Sequence, residues 1–282
     1  MSKQKLKQKL KLLYRDSSKH SSYQNVPAFV KNELGYVEKI NEEWRGDSAR
    51  IFYILKQLDF SPGFTVGDIG ANTGFFSLSL ANQFKKTNFI AYEINKNHFE
   101  HVRLIVNYFN LNNLNVVKLL INKNNIIKLC YHDILLHLNV LHHAGFDFDK
   151  KLEKNLNVFE KYALDYLSKI RCKTKLLVFQ MGSNWGGDKN IPIVESDDDV
   201  GKIIYISNLF ARSGWLVKKI AVATRNSLNT IVYENLPQNI IRKLQSFQYP
   251  DNLSMIIKNL NPGQFNGEFY RRQIFICDSN RF

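Results

Sequence analysis

Two stretches of this chain have the residue types and spacing that chemistry needs. The first is Val66-Gly67-Asp68-Ile69-Gly70-Ala71-Asn72-Thr73-Gly74-Phe75-Phe76, in which an acid precedes two glycines four residues apart. Glycines at 70 and 74 let a turn pass close to a ligand, and a helix opening at Phe75 would aim its N–H groups and the positive end of its dipole there. The second is Asn139-Val140-Leu141-His142-His143. A histidine near its ordinary pKa can take a proton from a hydroxyl while that oxygen forms a new bond.

The elements around the first stretch suit a ligand turn. Phe64, Val66 and Ile69 are apolar as in a buried parallel strand, and 75–84 reads as a helix. A dinucleotide fingerprint needs Gly-x-Gly-x-x-Gly, whereas the order here is Asp-x-Gly-x-x-x-Gly, which disfavours a nicotinamide cofactor.

Asp68-Ile69-Gly70-Ala71-Asn72-Thr73-Gly74 resembles the first motif of class I S-adenosylmethionine-dependent methyltransferases. Its companion is Glu93, nineteen residues past Gly74, at the end of Asn88-Phe89-Ile90-Ala91-Tyr92-Glu93. A carboxylate there can accept both ribose hydroxyls of a nucleoside. The resemblance implies a Rossmann-like, doubly wound α/β sheet of seven strands, mostly parallel, with an antiparallel C-terminal strand and a helical lid before it. It implies S-adenosylmethionine as cofactor, held by Asp68, Gly70, Asn72, Gly74, Phe75, Glu93, Asn122 and Asn139. Asn122 stands where the family often has an acid for the adenine amino group, and its side-chain carbonyl could accept that bond instead. The run 131–143 resembles the fourth motif, which would turn Asn139 and the pair His142 and His143 toward the methyl-transfer position, the two histidines as candidate catalytic groups.

Other segments complete the reading. Residues 1–25 are a basic arm and linker, 26–60 a helical lid and 61–282 the methyltransferase domain. The arm carries Lys3, Lys5, Lys7, Lys9, Lys11, Arg15 and Lys19 against Asp16, with Leu6, Leu10, Leu13 and Tyr14 on one helical stripe. Such a segment could touch RNA or an anionic membrane, although a frayed, solvated extension is the plainer reading. In the lid, Trp44, Arg45 and Arg50 offer a ring and two guanidiniums for an anionic or sugar-like substrate. The loop Gln180-Met181-Gly182-Ser183-Asn184-Trp185-Gly186-Gly187-Asp188-Lys189-Asn190 adds Asn184, Trp185 and Asp188 as hydrogen-bonding and aromatic contacts, with packing of the Trp as the alternative. This loop loosely resembles bacterial methyltransferases of surface-polysaccharide biosynthesis. Metal binding is not expected: adjacent histidines on a strand or turn tend to diverge, and Asp147 and Asp149 have no ligand spacing.

A chain of 282 residues with 44% hydrophobic content suits one large domain or a domain with a lid. The net charge of +14 favours acidic partners, but the Lys- and Asn-rich composition produces such a charge without a function. Cys130, Cys172 and Cys277 are scattered, which argues against a disulfide framework or zinc site. With no long apolar window or secretory signal, a cytoplasmic protein is expected. The leading expectation is O-methylation of a sugar or anionic small metabolite for capsule or lipopolysaccharide biosynthesis, without a stable protein partner. The alternatives are a tRNA wobble-uridine modifying enzyme, or a non-catalytic protein that binds S-adenosylmethionine or a membrane surface.

Overall fold

The computed structural model describes residues 1–14, 24–35, 46–195, 197–260 and 271–280. Trp44 and Arg45 lie outside them, as do Arg15, Asp16 and Lys19 of the basic arm. The chain divides into two compact units, Met1–Ile121 and Asn122–Phe282.

The first unit begins with helices α1 (Lys3–Tyr14), α2 (Ala28–Leu34) and α3 (Asp47–Gln57). Three parallel strands follow, β1 (Thr65–Ile69), β2 (Asn88–Tyr92) and β3 (Leu114–Val117), in spatial order β3-β2-β1. Helix α4 (Phe75–Gln83) links β1 to β2, and α5 (Lys96–Phe109) links β2 to β3. Asn95 caps α5 by accepting from the N–H groups of Asn97 and His98, and Asn110 stops it in the left-handed conformation with φ 51°. Helix α1 is not a frayed extension. Leu6 and Leu10 are fully buried, the helix packs on α5 and α2, and Lys7 Nζ donates to the Gly35 carbonyl at 2.6 Å. The leucine stripe therefore has a docking face, which overcomes the marginal stability of a short helix alone.

The second unit holds β4 (His132–Leu138), α6 (Leu156–Ile170), β5 (Thr174–Gln180), α7 (Asp199–Arg212), β6 (Leu216–Arg225), β7 (Ile231–Asn235), α8 (Gln238–Gln245), α9 (Leu253–Asn259) and β8 (Ile274–Asp278). Its strands run in the order β4-β5-β8-β6-β7, with β4 and β5 parallel and β8 antiparallel to both β5 and β6. The described residues thus form eight strands in a mostly parallel, Rossmann-like α/β arrangement. The one beyond the expected seven is β7, which pairs antiparallel with β6 from Ala221↔Asn235 to Arg225↔Ile231. The expected antiparallel late strand is β8, and Phe179, Phe210, Trp215 and Phe275 pack around it in the core. Among the described residues, no helix is long and apolar enough to cross a membrane.

Candidate functional site

In the first unit, backbone geometry makes the site. Gly70 and Gly74 have φ of 67° and 83°, the left-handed region where glycine is favoured, and Asn72 joins them at 53°. A Cβ on Gly74 would lie 2.7 Å from Val102 Cγ2, so the turn is pressed onto α5. The N–H groups of Gly70 and Ala71 both donate to the Tyr92 carbonyl, at 2.9 and 3.1 Å. Glu93, the next residue, is 6% exposed; its Oε2 accepts from Asn72 N–H and its Oε1 from Asn95 N–H, each at 2.7 Å. One carboxylate therefore ties the glycine turn to the loop after β2.

Asp68 points under the turn. Its Oδ2 accepts from the Ser77 hydroxyl on α4 at 2.5 Å. Burial pushes its carboxyl up to about 7, the Ser77 hydrogen bond opposes that, and the nearby Glu93 charge adds to it. His101 of α5 braces the turn from the other side, with Nδ1 3.2 Å from the Thr73 carbonyl. A carbonyl only accepts, so Nδ1 carries the proton; burial, and to a lesser degree the neighbouring His98, lower this histidine to about 4, against the opposing Thr73 hydrogen bond, leaving it neutral at pH 7. Phe75 opens α4, and its N–H donates to Gln24 Oε1 at 3.0 Å.

In the second unit, side chains pair with one another. His142 and His143 lie in a single 3-10 turn, Leu141–His143, with ring centroids 4.2 Å apart, so the expected divergence does not occur. The two nonetheless differ. His142 is 2% exposed, and its Nδ1 accepts from the Gly182 N–H at 3.3 Å. A Cβ on Gly182 would sit 2.7 Å from His142 Nε2 and 3.1 Å from Arg272 Cζ, so the glycine makes room for both side chains. His143 is more open, and its Nδ1 lies 2.7 Å from Asp147 Oδ2. A carboxylate beside Nδ1 orients an imidazole and raises its basicity.

Asn139 stands at the corner after β4 with φ 63°. Its Nδ2 donates to Gln180 Oε1 at 2.9 Å, and its Oδ1 accepts from an Arg272 guanidinium nitrogen at 3.0 Å. Gln180 Nε2 in turn donates to the Arg272 carbonyl at 2.7 Å. The pair Gln180 and Arg272 joins the ends of β4 and β5 to the approach to β8, which nothing in the local sequence signalled.

Three expectations change. Trp185 is not an exposed platform: it is fully buried, donates from Nε1 to the Ala144 carbonyl at 2.5 Å and packs against Phe146 and Phe159. Its ring braces the turn that carries the histidines, and Asn184 beside it is also buried. Arg50 is not an open clamp for an acceptor: it is 4% exposed and donates to Asp47, which is fully buried beside it. Asn122 spends its amide on its own turn and on Asp149. Its Oδ1 accepts from the N–H groups of Asn124 and Asn125, and its Nδ2 donates to Asp149 Oδ1 at 3.0 Å, so the geometry gives no support to an adenine contact.

No family model and no curated protein matches the chain. Solved structures match it in shape. A crystal structure of WbdD, elsewhere described as a bifunctional kinase-methyltransferase, is 13% identical over 97% of this chain and 47% of that one, with a TM-score of 0.50. The StiE O-MT, residues 942-1257, is 13% identical over 97% and 82% of the two chains at a TM-score of 0.48. A precorrin-6y C5,15-methyltransferase from Geobacter metallireducens GS-15 is 12% identical over 80% and 84% at 0.43. The chain spans about half the length of the WbdD chain it matches. What it shares with WbdD is the fold, the Rossmann-like arrangement in which the Asp68–Gly74 turn closes a parallel strand.

Proposed function

We propose that this chain is an S-adenosylmethionine-dependent methyltransferase that methylates a hydroxyl of a sugar or another anionic small metabolite, in the cytoplasm and for surface-polysaccharide assembly. The observation that carries the reading is the placement of Glu93, buried at the end of β2 with one carboxylate oxygen on the N–H of the glycine turn. The donors fit the group. Gly70, Asn72 and Gly74 give a left-handed turn a nucleoside can approach, and Glu93 is the acceptor for ribose hydroxyls. The acid Glu93 suits a ligand that bears a cationic sulfonium and an ammonium.

When bound, S-adenosylmethionine supplies an electrophilic methyl group. The chain's own tasks are to align that methyl and to take a proton from the acceptor. The His143–Asp147 pair suits the second task. Asp147 lies against Nδ1 of the ring, and the imidazole receives the hydroxyl proton as the oxygen forms its bond to carbon. His142, committed to the Gly182 N–H, fixes the turn on which His143 sits. Calorimetric titration with S-adenosylmethionine and S-adenosylhomocysteine tests the reading. Binding of both is expected, and binding of neither would sink it.

One observation favours a second reading, with RNA as the acceptor. With Leu6 and Leu10 of α1 turned inward, Lys5 and Lys9 are exposed beside them. RNA affinity should then fall steeply between low and moderate salt, whereas binding of a small metabolite should not.

A further inference from the structure

We propose that residues 24–26 form a strap that sets the cofactor turn, with Gln24 as its positioning residue and the buried Asp47–Arg50 pair as its anchor. The proposal rests on the reading of the turn as an S-adenosylmethionine site. Helix α4 receives no side-chain cap from Gly74, the residue before it. The first N–H groups of a helix have no partner within the helix, and a buried one without an acceptor is costly. Here the acceptor comes from far upstream: Gln24 Oε1 takes the Phe75 N–H at 3.0 Å.

The strap is held at its other side by charge. The Asn25 N–H donates to Asp47 Oδ2 at 2.5 Å, and Asn25 Oδ1 accepts from Lys31 Nζ at 2.5 Å and from the Val26 N–H at 2.9 Å. Arg50 donates to the other oxygen of Asp47, and its guanidinium lies 5.2 Å over the ring of Phe76. The contacts therefore make a closed circuit: Phe75 to Gln24, along the backbone to Asn25, to Asp47, to Arg50, and back to Phe76 beside the starting residue. Asn25, Asp47 and Arg50 are all buried.

A buried ion pair gives little net stability, because the desolvation of both ions opposes their attraction, but breaking one partner away is severe. Such a pair is thus a means of fixing geometry. Geometry is what the turn requires, since a site already in its bound shape does not pay for ordering when the ligand arrives. Arg50 on this account acts on the methyl donor's site through Asp47 and the strap, and not on the acceptor.

The experiment uses the full chain and two variants, Gln24→Leu and Gln24→Glu. Each is measured twice, by calorimetric affinity for S-adenosylhomocysteine and by amide hydrogen exchange over residues 70–78 without ligand. Gln24→Leu removes one hydrogen bond and should weaken the affinity by about three- to tenfold. It should also speed exchange at the start of α4. Gln24→Glu keeps an acceptor at the positive end of the helix and should stay within about twofold of the wild type on both readouts. Wild-type affinity and wild-type exchange in Gln24→Leu would overturn the strap, as would equal losses in the two variants. If the wild type binds no S-adenosylhomocysteine, the cofactor reading fails. The exchange difference then decides the brace alone, faster exchange in Gln24→Leu supporting it and unchanged exchange overturning it.

Discussion

The two units solve the same problem, holding polar groups in place, by different means. In the first, side chains address backbone: Glu93 grips the N–H groups of Asn72 and Asn95, His101 the carbonyl of Thr73, and Gln24 the N–H of Phe75. In the second, pairs of side chains also address each other, His143 with Asp147 and Asn139 with Gln180 and Arg272, beside backbone contacts such as His142 with the Gly182 N–H. The first arrangement fixes the shape of a turn and suits a ligand recognised by its backbone contacts. The second fixes the direction of individual groups and suits a proton transfer. Binding and chemistry should therefore separate by mutation, which gives the comparison its sharpest tests.

The largest effect is expected at His143. His143→Asn should lower kcat by about 10²- to 10⁴-fold with little change in S-adenosylhomocysteine affinity. Asp147→Asn should lower it less and move the acid limb of the pH–rate profile. Equal losses in rate and cofactor affinity would erase the distinction between the units. Next comes Glu93→Gln, which removes a charged acceptor worth about 1.5–3 kcal/mol per hydrogen bond. S-Adenosylhomocysteine affinity should drop by the corresponding factor in calorimetry, and an unchanged affinity would remove Glu93 from the site.

Trp185→Phe is a smaller perturbation. It leaves the Ala144 carbonyl without its indole donor, at a cost of about 1–3 kcal/mol. Thermal melts should register the loss, and kcat should fall through the histidine turn while the KM for the acceptor holds. A rise in acceptor KM alone would restore the substrate-platform role. The last effect concerns pH. The Asp68 carboxyl has an ordinary value of 3.8 and sits near 7 in the folded chain, so between those values the folded state binds the extra proton. Stability from this group is therefore present at low pH and is lost as pH rises through about 7. Melting temperatures of Asp68→Asn and wild type should converge toward pH 4 and diverge toward pH 8, with the variant the more stable at the upper end.

Legibility in the sequence follows the same division. The glycine turn was readable because φ above zero restricts residue choice, so Gly70 and Gly74 leave a trace in the letters themselves. The strand-turn-helix order and the antiparallel late strand followed from periodicity and from the family resemblance. Pairings between side chains leave no such trace. Asp147 is four residues past His143, yet in the letters it was only an acid in a loop. Gln24 acts 51 residues away from the N–H it accepts, and His101 meets a carbonyl 28 residues upstream of it. Trp185 shows the converse failure: a Trp among glycines reads as a platform, but Gly186, at φ 65°, brings the loop so close to Phe146 that the indole turns inward.

The position of β8 carries a last consequence, for the order in which the molecule can assemble. Ile274–Asp278 lies between β5 and β6, hydrogen-bonded to both, although it is made after either of them. During synthesis the first unit has all its strands by Val117, whereas β5 and β6 wait for a partner from far downstream. Until that strand emerges, each exposes an edge that can pair with another chain. The second unit should therefore fold late and slowly, through contacts distant in sequence, and shortening the chain before Ile274 should yield aggregates and not a smaller folded protein.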